Sequence, residues 1–291
     1  DMGNAIRATV FGKLEDPDNQ RYLISYTLYE HEPHIEIDWG VDGKRPDPHP
    51  EAGWLSFSFN MDAPRYRLYR TGGIVDPQSE FISNTNYDFF FLNTSMAMYN
   101  STDGGIALNS PASPGISLDH PGLFSFSGSK KYETGKVFVN LYTNQWGTNF
   151  TEWIEGSFSS KLYLWSFDQY DPETNFITPS EETRSPLKGV FYDGPAGPRE
   201  LSQQGITLSR RGVLLTAFKP LTDPEGMLLR LWEQSGQNGS CLITLPAGSG
   251  FTMAYKCNLR DEIIESEGIP IENQSFQIDI QANQPVSFIL K

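Results

Sequence analysis

The chain is poor in several things, and each shortage excludes a class of protein. It has two cysteines in 291 residues, Cys241 and Cys257, so no disulfide framework holds it together. Its basic residues are outnumbered, 22 Lys and Arg against 36 Asp and Glu, which leaves a formal net charge of -14. Phosphate backbones and anionic membrane surfaces call for a basic face, so neither a nucleic acid nor a membrane is expected as a partner. No apolar run approaches the length that crosses a bilayer. The first residues, Asp1-Met2-Gly3-Asn4, show neither a basic n-region nor an apolar h-region, so a signal peptide is not expected among them, and a processed or truncated start would look the same. Catalytic signatures are missing as well. There is no G-x-S-x-G elbow, no nucleophilic Cys-His arrangement and no phosphate-cradling glycine loop, since Gly72-Gly73 and Gly104-Gly105 lack the helix and Lys that would follow.

What the chain has is turns and aromatics. There are 20 prolines, 26 glycines and 13% aromatic residues, with short apolar runs between turn signals. That pattern predicts an all-β protein, and the length suits one large β domain or two smaller ones. Ala5–Lys13, Arg21–Tyr29, His34–Val41, Trp54–Met61 and Arg65–Arg70 read as strands. Ile35, Ile37 and Trp39 alternate with Glu36 and Asp38, which predicts one buried and one solvated face. Asp88–Leu92, Met96–Tyr99, Ile106–Leu108, Phe124–Ser127, Lys136–Tyr142 and Glu155–Phe167 follow as strands. Asp168–Lys188, with three X-Pro steps and few apolar residues, reads as a linker or long excursion. Beyond it, Gly205–Ser209, Val213–Phe218, Met227–Glu233, Ser275–Ile280 and Val286–Leu290 are strand-like, and Asn258–Glu267 has the composition of a helical turn. The two cysteines lie about symmetrically around Pro246-Ala247-Gly248-Ser249-Gly250, so they could face each other across a hairpin. A disulfide and two separate thiols both remain open.

Candidate chemistry gathers in Asn140–Phe167, which holds Trp146, Trp153 and Trp165, three of the six tryptophans. Its centre is Asn144-Gln145-Trp146-Gly147-Thr148-Asn149. Indole faces stack on the C–H faces of sugar rings, and amides hydrogen-bond to sugar hydroxyls, so the cluster suits a carbohydrate. For any one tryptophan, filling a sheet core is the competing reading. Glu152 and Glu155 flank Trp153; in an extended chain they point to opposite faces and make a poor acid–base pair. His31 and His34 have a metal-like spacing, but Pro33 between them breaks the helix that spacing needs. His120, next to Asp119 and before Pro121, is the remaining acid–base candidate or simply a turn residue. Five Asn-x-Ser/Thr sequons occur, at Asn93, Asn100, Asn149, Asn238 and Asn273, and these matter only in a eukaryotic secretory protein.

The run Asn140–Gly156, NLYTNQWGTNFTEWIEG, resembles a segment of the C-terminal β region of glycoside hydrolase family 38 α-mannosidases. Tyr22–Val41, Ala107–Pro114 and Asp119-His120-Pro121-Gly122 resemble preceding segments of that region. Gly212–Trp232, with Lys219, Pro220, Arg230 and the following Glu233, and Phe276–Leu290 resemble later ones. The resemblance runs in order over nearly the whole chain. It implies a mutarotase-like β-supersandwich over 1–185, followed by a smaller β-sandwich over 186–291. It also implies a sugar cleft lined by Asn144, Trp146, Asn149 and Trp153, with a mannose-containing glycan as ligand. In that family zinc and the nucleophilic Asp belong to an N-terminal α/β domain, and no segment here matches it. The resemblance therefore implies a non-catalytic β portion, with no cofactor of its own and a catalytic domain as partner. The alternative is a stand-alone carbohydrate-binding β-sandwich protein.

Overall fold

The computed structural model describes residues 4–13, 21–122, 128, 130–144, 151–195, 197, 203–222 and 225–291. The expected strand Phe124–Ser127 lies outside them. The chain divides into two compact units. One comprises Asp1–Thr71, Val75–Tyr170 and Thr183–Ser185; the other comprises Gly72–Ile74, Asp171–Glu182 and Pro186–Lys291. Nearly all regular structure is strand, and every recorded pairing is antiparallel, as the turn-rich sequence predicts.

The strands up to Phe167 are β1 (Ala5–Lys13), β2 (Arg21–Tyr29), β3 (Ile35–Lys44), β4 (Ala52–Ser58), β5 (Arg65–Arg70), β6 (Gly73–Val75), β7 (Phe90–Phe91), β8 (Ser95–Tyr99), β9 (Gly105–Asn109), β10 (Gly115–Leu118), β11 (Lys136–Thr143) and β12 (Gly156–Phe167). The larger sheet has eight strands, of which seven lie wholly in the first unit, in the order β1-β2-β3-β12-β9-β8-β5. A four-stranded sheet has the order β4-β11-β10-β7. Their facing sides build one core. Ile37, Trp39, Leu162, Leu108, Met96 and Leu68 come from the larger sheet, and Val137, Val139, Ile116 and Phe90 from the smaller.

The alternation in β3 places Ile37 and Trp39 in that core. The opposite face is less wet than predicted. Glu36 and Thr27 are buried there, Glu36 under Lys161, whose Nζ donates to its carboxylate at 2.6 Å, and Thr27 under Arg7, whose Nε donates to Oγ1 at 3.0 Å. Long side chains lie along the sheet and cover it with their stems. Burial alone would lower the Lys161 pKa, but the hydrogen bond to Glu36 and the charges of Glu36 and Asp38 leave it raised.

The core face is not covered everywhere. β1 pairs with β2 so that Ile6 opposes Leu28 and Val10 opposes Ile24, and β2 in turn sets Leu28 beside Ile35 and Ile24 beside Trp39. Ile6, Val10 and Leu28 thus continue the inner face of the sheet. They remain 74%, 55% and 49% exposed, because eight strands face only four.

The second unit contains β13 (Thr207–Leu208), β14 (Val213–Thr222), β15 (Glu225–Glu233), β16 (Gly239–Thr244), β17 (Met253–Cys257), β18 (Ile269–Pro270), β19 (Ser275–Ile280) and β20 (Pro285–Leu290). They form a three-stranded sheet, β13-β16-β19, and a five-stranded sheet, β14-β15-β20-β17-β18. Leu229, Leu231, Ile243, Ile278 and Phe288 fill the space between. Pro220, which has no N–H to give, sits in the edge strand β14.

Of the two cysteine alternatives the structure shows two separate thiols, and it overturns only the idea that they face each other across a hairpin. Cys241 is in β16 and Cys257 in β17, strands of different sheets, and both are free and buried. Flanking one turn does not make two strands partners. Asn258–Glu267 is irregular rather than helical, pinned by the Asn258 side-chain oxygen Oδ1, which accepts from the Arg260 and Glu262 amides.

The linker reading of 168–188 also needs correcting. Pro172–Ile177 forms a π-helical turn that runs into α1 (Thr178–Arg184). Asp171-Pro172 is its start signal. The Asp171 carboxylate accepts from the Glu173 and Thr174 amides at 3.0 and 2.7 Å, and the Asn175 side-chain oxygen Oδ1 accepts from the Asp171 amide at 2.9 Å. Proline suits the first helical position because its missing N–H would have no partner there. Burial would raise the Asp171 pKa, but these hydrogen bonds to the charged form outweigh it and leave it lowered. A depressed carboxylate stabilises the fold above its unfolded pKa, and that stability goes as pH falls through the folded value. Asp171→Ala should therefore cost about 1 kcal/mol at neutral pH, with the difference from wild type shrinking below about pH 4, as read by urea melts across pH.

Candidate functional site

β11 ends at Thr143, and the next residue organises the surrounding loops. Asn144 is 8% exposed. Its carbonyl oxygen accepts from the Glu51 amide at 2.6 Å, and its backbone amide donates to the Glu51 carbonyl at 3.1 Å. Its side-chain nitrogen reaches the carbonyls of Asp47, His49 and Glu152 at 3.2, 3.1 and 3.0 Å. One amide therefore ties the proline-rich loop before β4 to the segment that carries Trp153. Both ends of that amide are occupied by backbone, so Asn144 positions loops rather than offering itself to a ligand.

Beside this amide lies an ion pair with one buried member. The Lys44 ammonium pairs with Glu51, donates to the Arg45 carbonyl at 3.1 Å and sits 5.3 Å from the centre of the Tyr142 ring. Its side chain is 2% exposed, so the charge is held by partners rather than by water. Tyr142 packs edge-on against Phe158 at 5.4 Å. Its ring crosses the neighbouring strand at Gly53, where a Cβ would come 2.3 Å from Tyr142 Cε1. The β4–β11 register shifts here, between Asn140 and Tyr142. Burial first, then the Tyr22 hydroxyl and the Glu51 charge, push the Tyr142 hydroxyl well above its usual pKa.

Trp153 is 46% exposed and stands beside this framework. Its neighbour Glu152 gives a backbone carbonyl to Asn144, and residues 151–155 are not in a strand, so the alternation expected for Glu152 and Glu155 does not apply. The rim continues with the exposed His49, whose Nδ1 lies 2.7 Å from Asp47 Oδ1. Hydrogen bonds from His49 hold the Asp47 carboxyl below its ordinary pKa. Trp146 and Asn149 lie outside the described residues. Of the four residues singled out from sequence, the structure therefore brings Asn144 and Trp153 to one place. Lys44, Asp47, His49, Glu51 and Tyr142 were not anticipated. The available signal was a loop dense in Pro, Asp and His just before β4.

The other histidines do not assemble a centre. Among the described residues, no three His, Cys, Asp or Glu side chains come together as a metal site. His34 packs edge-on against Tyr163 at 5.2 Å, while His31 is exposed. His120 lies 3.7 Å from the buried Asp88 carboxylate, and Lys130 lies 3.5 Å from the same oxygen and 2.9 Å from His120 Nδ1. That carboxylate is 1% exposed, out of reach of a substrate. No described helix is long and apolar enough to cross a membrane.

Residues 212–286 match the family described as glycosyl hydrolases family 38 C-terminal beta sandwich domain. No curated protein matches the chain. An α-mannosidase structure from Enterococcus faecalis V583 aligns with 99% of this chain and 33% of its own, at 13% identity and a TM-score of 0.66. A glycosyl hydrolase family 38 protein from Enterococcus faecalis aligns with the same identity and TM-score over 34% of its length. A putative aldose 1-epimerase from Escherichia coli K12 aligns with 57% of this chain at a TM-score of 0.34. At 13% identity the first two likenesses speak for fold alone, and the chain spans about a third of the length of either protein. Residues 212–286 thus resemble the family 38 C-terminal β-sandwich domain, and the chain as a whole shares its fold with part of the two family 38 structures.

Proposed function

We propose that the chain is the non-catalytic β portion of a glycosidase resembling retaining α-mannosidases, which supports a catalytic domain and lends a wall to its sugar cleft. The observation that carries this reading is the lopsided overlap. Almost all of this chain aligns with one third of a glycosidase, and residues 212–286 match that family's C-terminal domain. The uncovered inner face of β1 and β2 supports it too. Apolar side chains that continue a core but meet water are an interface awaiting cover. Zinc and the nucleophile would then reside in the catalytic domain, and a mannose-containing glycan would be the ligand.

At the cleft, Trp153 and Trp146 would offer indole faces, Asn149 an amide, and Asn144 the scaffold. The mass of the native gene product in its source cells tests the whole reading. A polypeptide far heavier than 32.7 kDa is expected; a native mass equal to this chain's would overturn it. The alternative, a free-standing carbohydrate-binding protein, would then take its place.

The two described cleft residues should fail differently in the full-length enzyme. Trp153→Ala should raise KM for a mannoside about tenfold with an unchanged melting temperature, because a half-exposed ring contributes binding rather than packing. Asn144→Ala strands a buried backbone amide and three carbonyls, and should cost about 1–3 kcal/mol of stability. Thermal melts beside mannosidase kinetics separate the two effects.

A further inference from the structure

The solvent side of the smaller sheet of the first unit carries a second aromatic constellation. β4 and β11 place Trp54 opposite Asn140 and Ser56 opposite Phe138. β10 and β7 place Gly115 opposite Phe91. Leu55, Val137, Val139, Ile116 and Phe90 turn into the core. By the period of two, Trp54, Phe138 and Phe91 turn out. Phe89, two residues before Phe91, joins them. The rings form a continuous chain across the sheet. Phe138 to Trp54 is 6.4 Å between centres, Trp54 to Phe89 6.1 Å and Phe89 to Phe91 5.0 Å, each pair nearly perpendicular. Gly115 makes this possible, since a Cβ there would lie 2.6 Å from Phe89 Cζ. The exposed end is Phe91, at 59%.

That end opens into two adjoining cavities of about 480 and 500 Å³, which share Arg70, Phe81 and Phe91 in their walls. Each is within the usual range for a small-ligand site. Between the rings the walls are polar, with Thr71 and Asn93 in one and Glu80 and Thr85 in the other. An apolar peptide would leave those groups without partners, whereas a sugar matches the mixture of ring faces with hydroxyl and amide groups.

Glu80 lines only the second cavity, whereas in the first Arg70 is the one charged residue among the described wall residues, and there it sets the charge of a fitting ligand. Arg67, Arg210 and Arg230 each reach a carboxylate, at 2.8, 3.1 and 2.9 Å. Among the described residues Arg70 has no recorded ion pair; its guanidinium rests 5.5 Å from the centre of the Phe81 ring. A guanidinium held against an aromatic face and open to a cavity is ready for a bidentate carboxylate.

We propose that this face binds an acidic oligosaccharide, with sugar rings packing on Phe91 and Phe89 and a sugar carboxylate meeting Arg70. The site is separate from the one built around Asn144. Calorimetric titration of the full chain with tetragalacturonate and with its neutral methyl ester tests it. Wild type should bind the acid about tenfold more tightly than the ester, the worth of one charge-assisted fork. Arg70→Gln should erase that preference while leaving the ester's affinity in place. Phe91→Ala should weaken both ligands about tenfold and Phe91→Tyr neither, because a ring is retained. Excess methyl α-mannoside should not displace the acid, which keeps the outcome distinct from that at the mannoside cleft. Arg70→Gln, Phe91→Ala and Phe91→Tyr should each melt with wild type. No binding by wild type, equal affinity for acid and ester, or binding unchanged in Arg70→Gln and Phe91→Ala would each overturn the proposal.

Discussion

Strand β12 is hydrogen-bonded along both edges, to β3 on one side and to β9 on the other. Remove that double ladder and the larger sheet falls into two pieces, β1-β2-β3 and β9-β8-β5, neither of which closes the core. The strand is twelve residues long because it must span both partners: Gly156–Leu164 meets β3 and Tyr163–Phe167 meets β9. The segment leading into it is the one that Asn144 anchors, through the carbonyl of Glu152. A single buried amide thus sets where the central strand begins, and the Lys44–Glu51 pair beside it fixes the loop on its other side. Structure and candidate site share one cause here. The residues that aim Trp153 outward are those that hold the sheet's entry point.

Strands were legible because their signal is local. Arg21–Tyr29 and Arg65–Arg70 have the bounds that alternation assigns them, and Glu155–Phe167 differs by one residue. Partnership was not legible, since it depends on where the chain travels between strands. The cysteines illustrate this, symmetrical about one turn yet in separate sheets. So does Asp171-Pro172, whose residues serve a turn and a helix start equally well until Asn175 and Thr174 are seen to complete the cap. β10 escaped notice because four residues between Pro114 and the Asp119 turn carry too short an alternation to register.

At the candidate site the sequence conveyed residue types but not roles. An asparagine beside tryptophans reads as a sugar contact; only its five hydrogen bonds reveal a scaffold. Lys44 and Glu51 were invisible for the opposite reason, since charged residues flanking a proline-rich loop look solvated until one is found 2% exposed. The aromatic chain on the smaller sheet was equally hidden. Its members are spread from Trp54 to Phe138, and only cross-strand register assembles them.

The bare inner edge of the larger sheet has a colloidal consequence. β1 ends the sheet, so among the described residues no strand lies beside its outer row of backbone groups, and Ile6, Val10 and Leu28 form an oily flank next to that row. Such edges invite a second strand to add on. What opposes this is long-range repulsion between chains that each carry a net charge of -14. Salt shortens that repulsion to about 8 Å at physiological ionic strength, while it leaves the apolar attraction intact. The surplus of carboxylates thus works against pairing of these open edges, and the strength of that opposition depends on ionic strength.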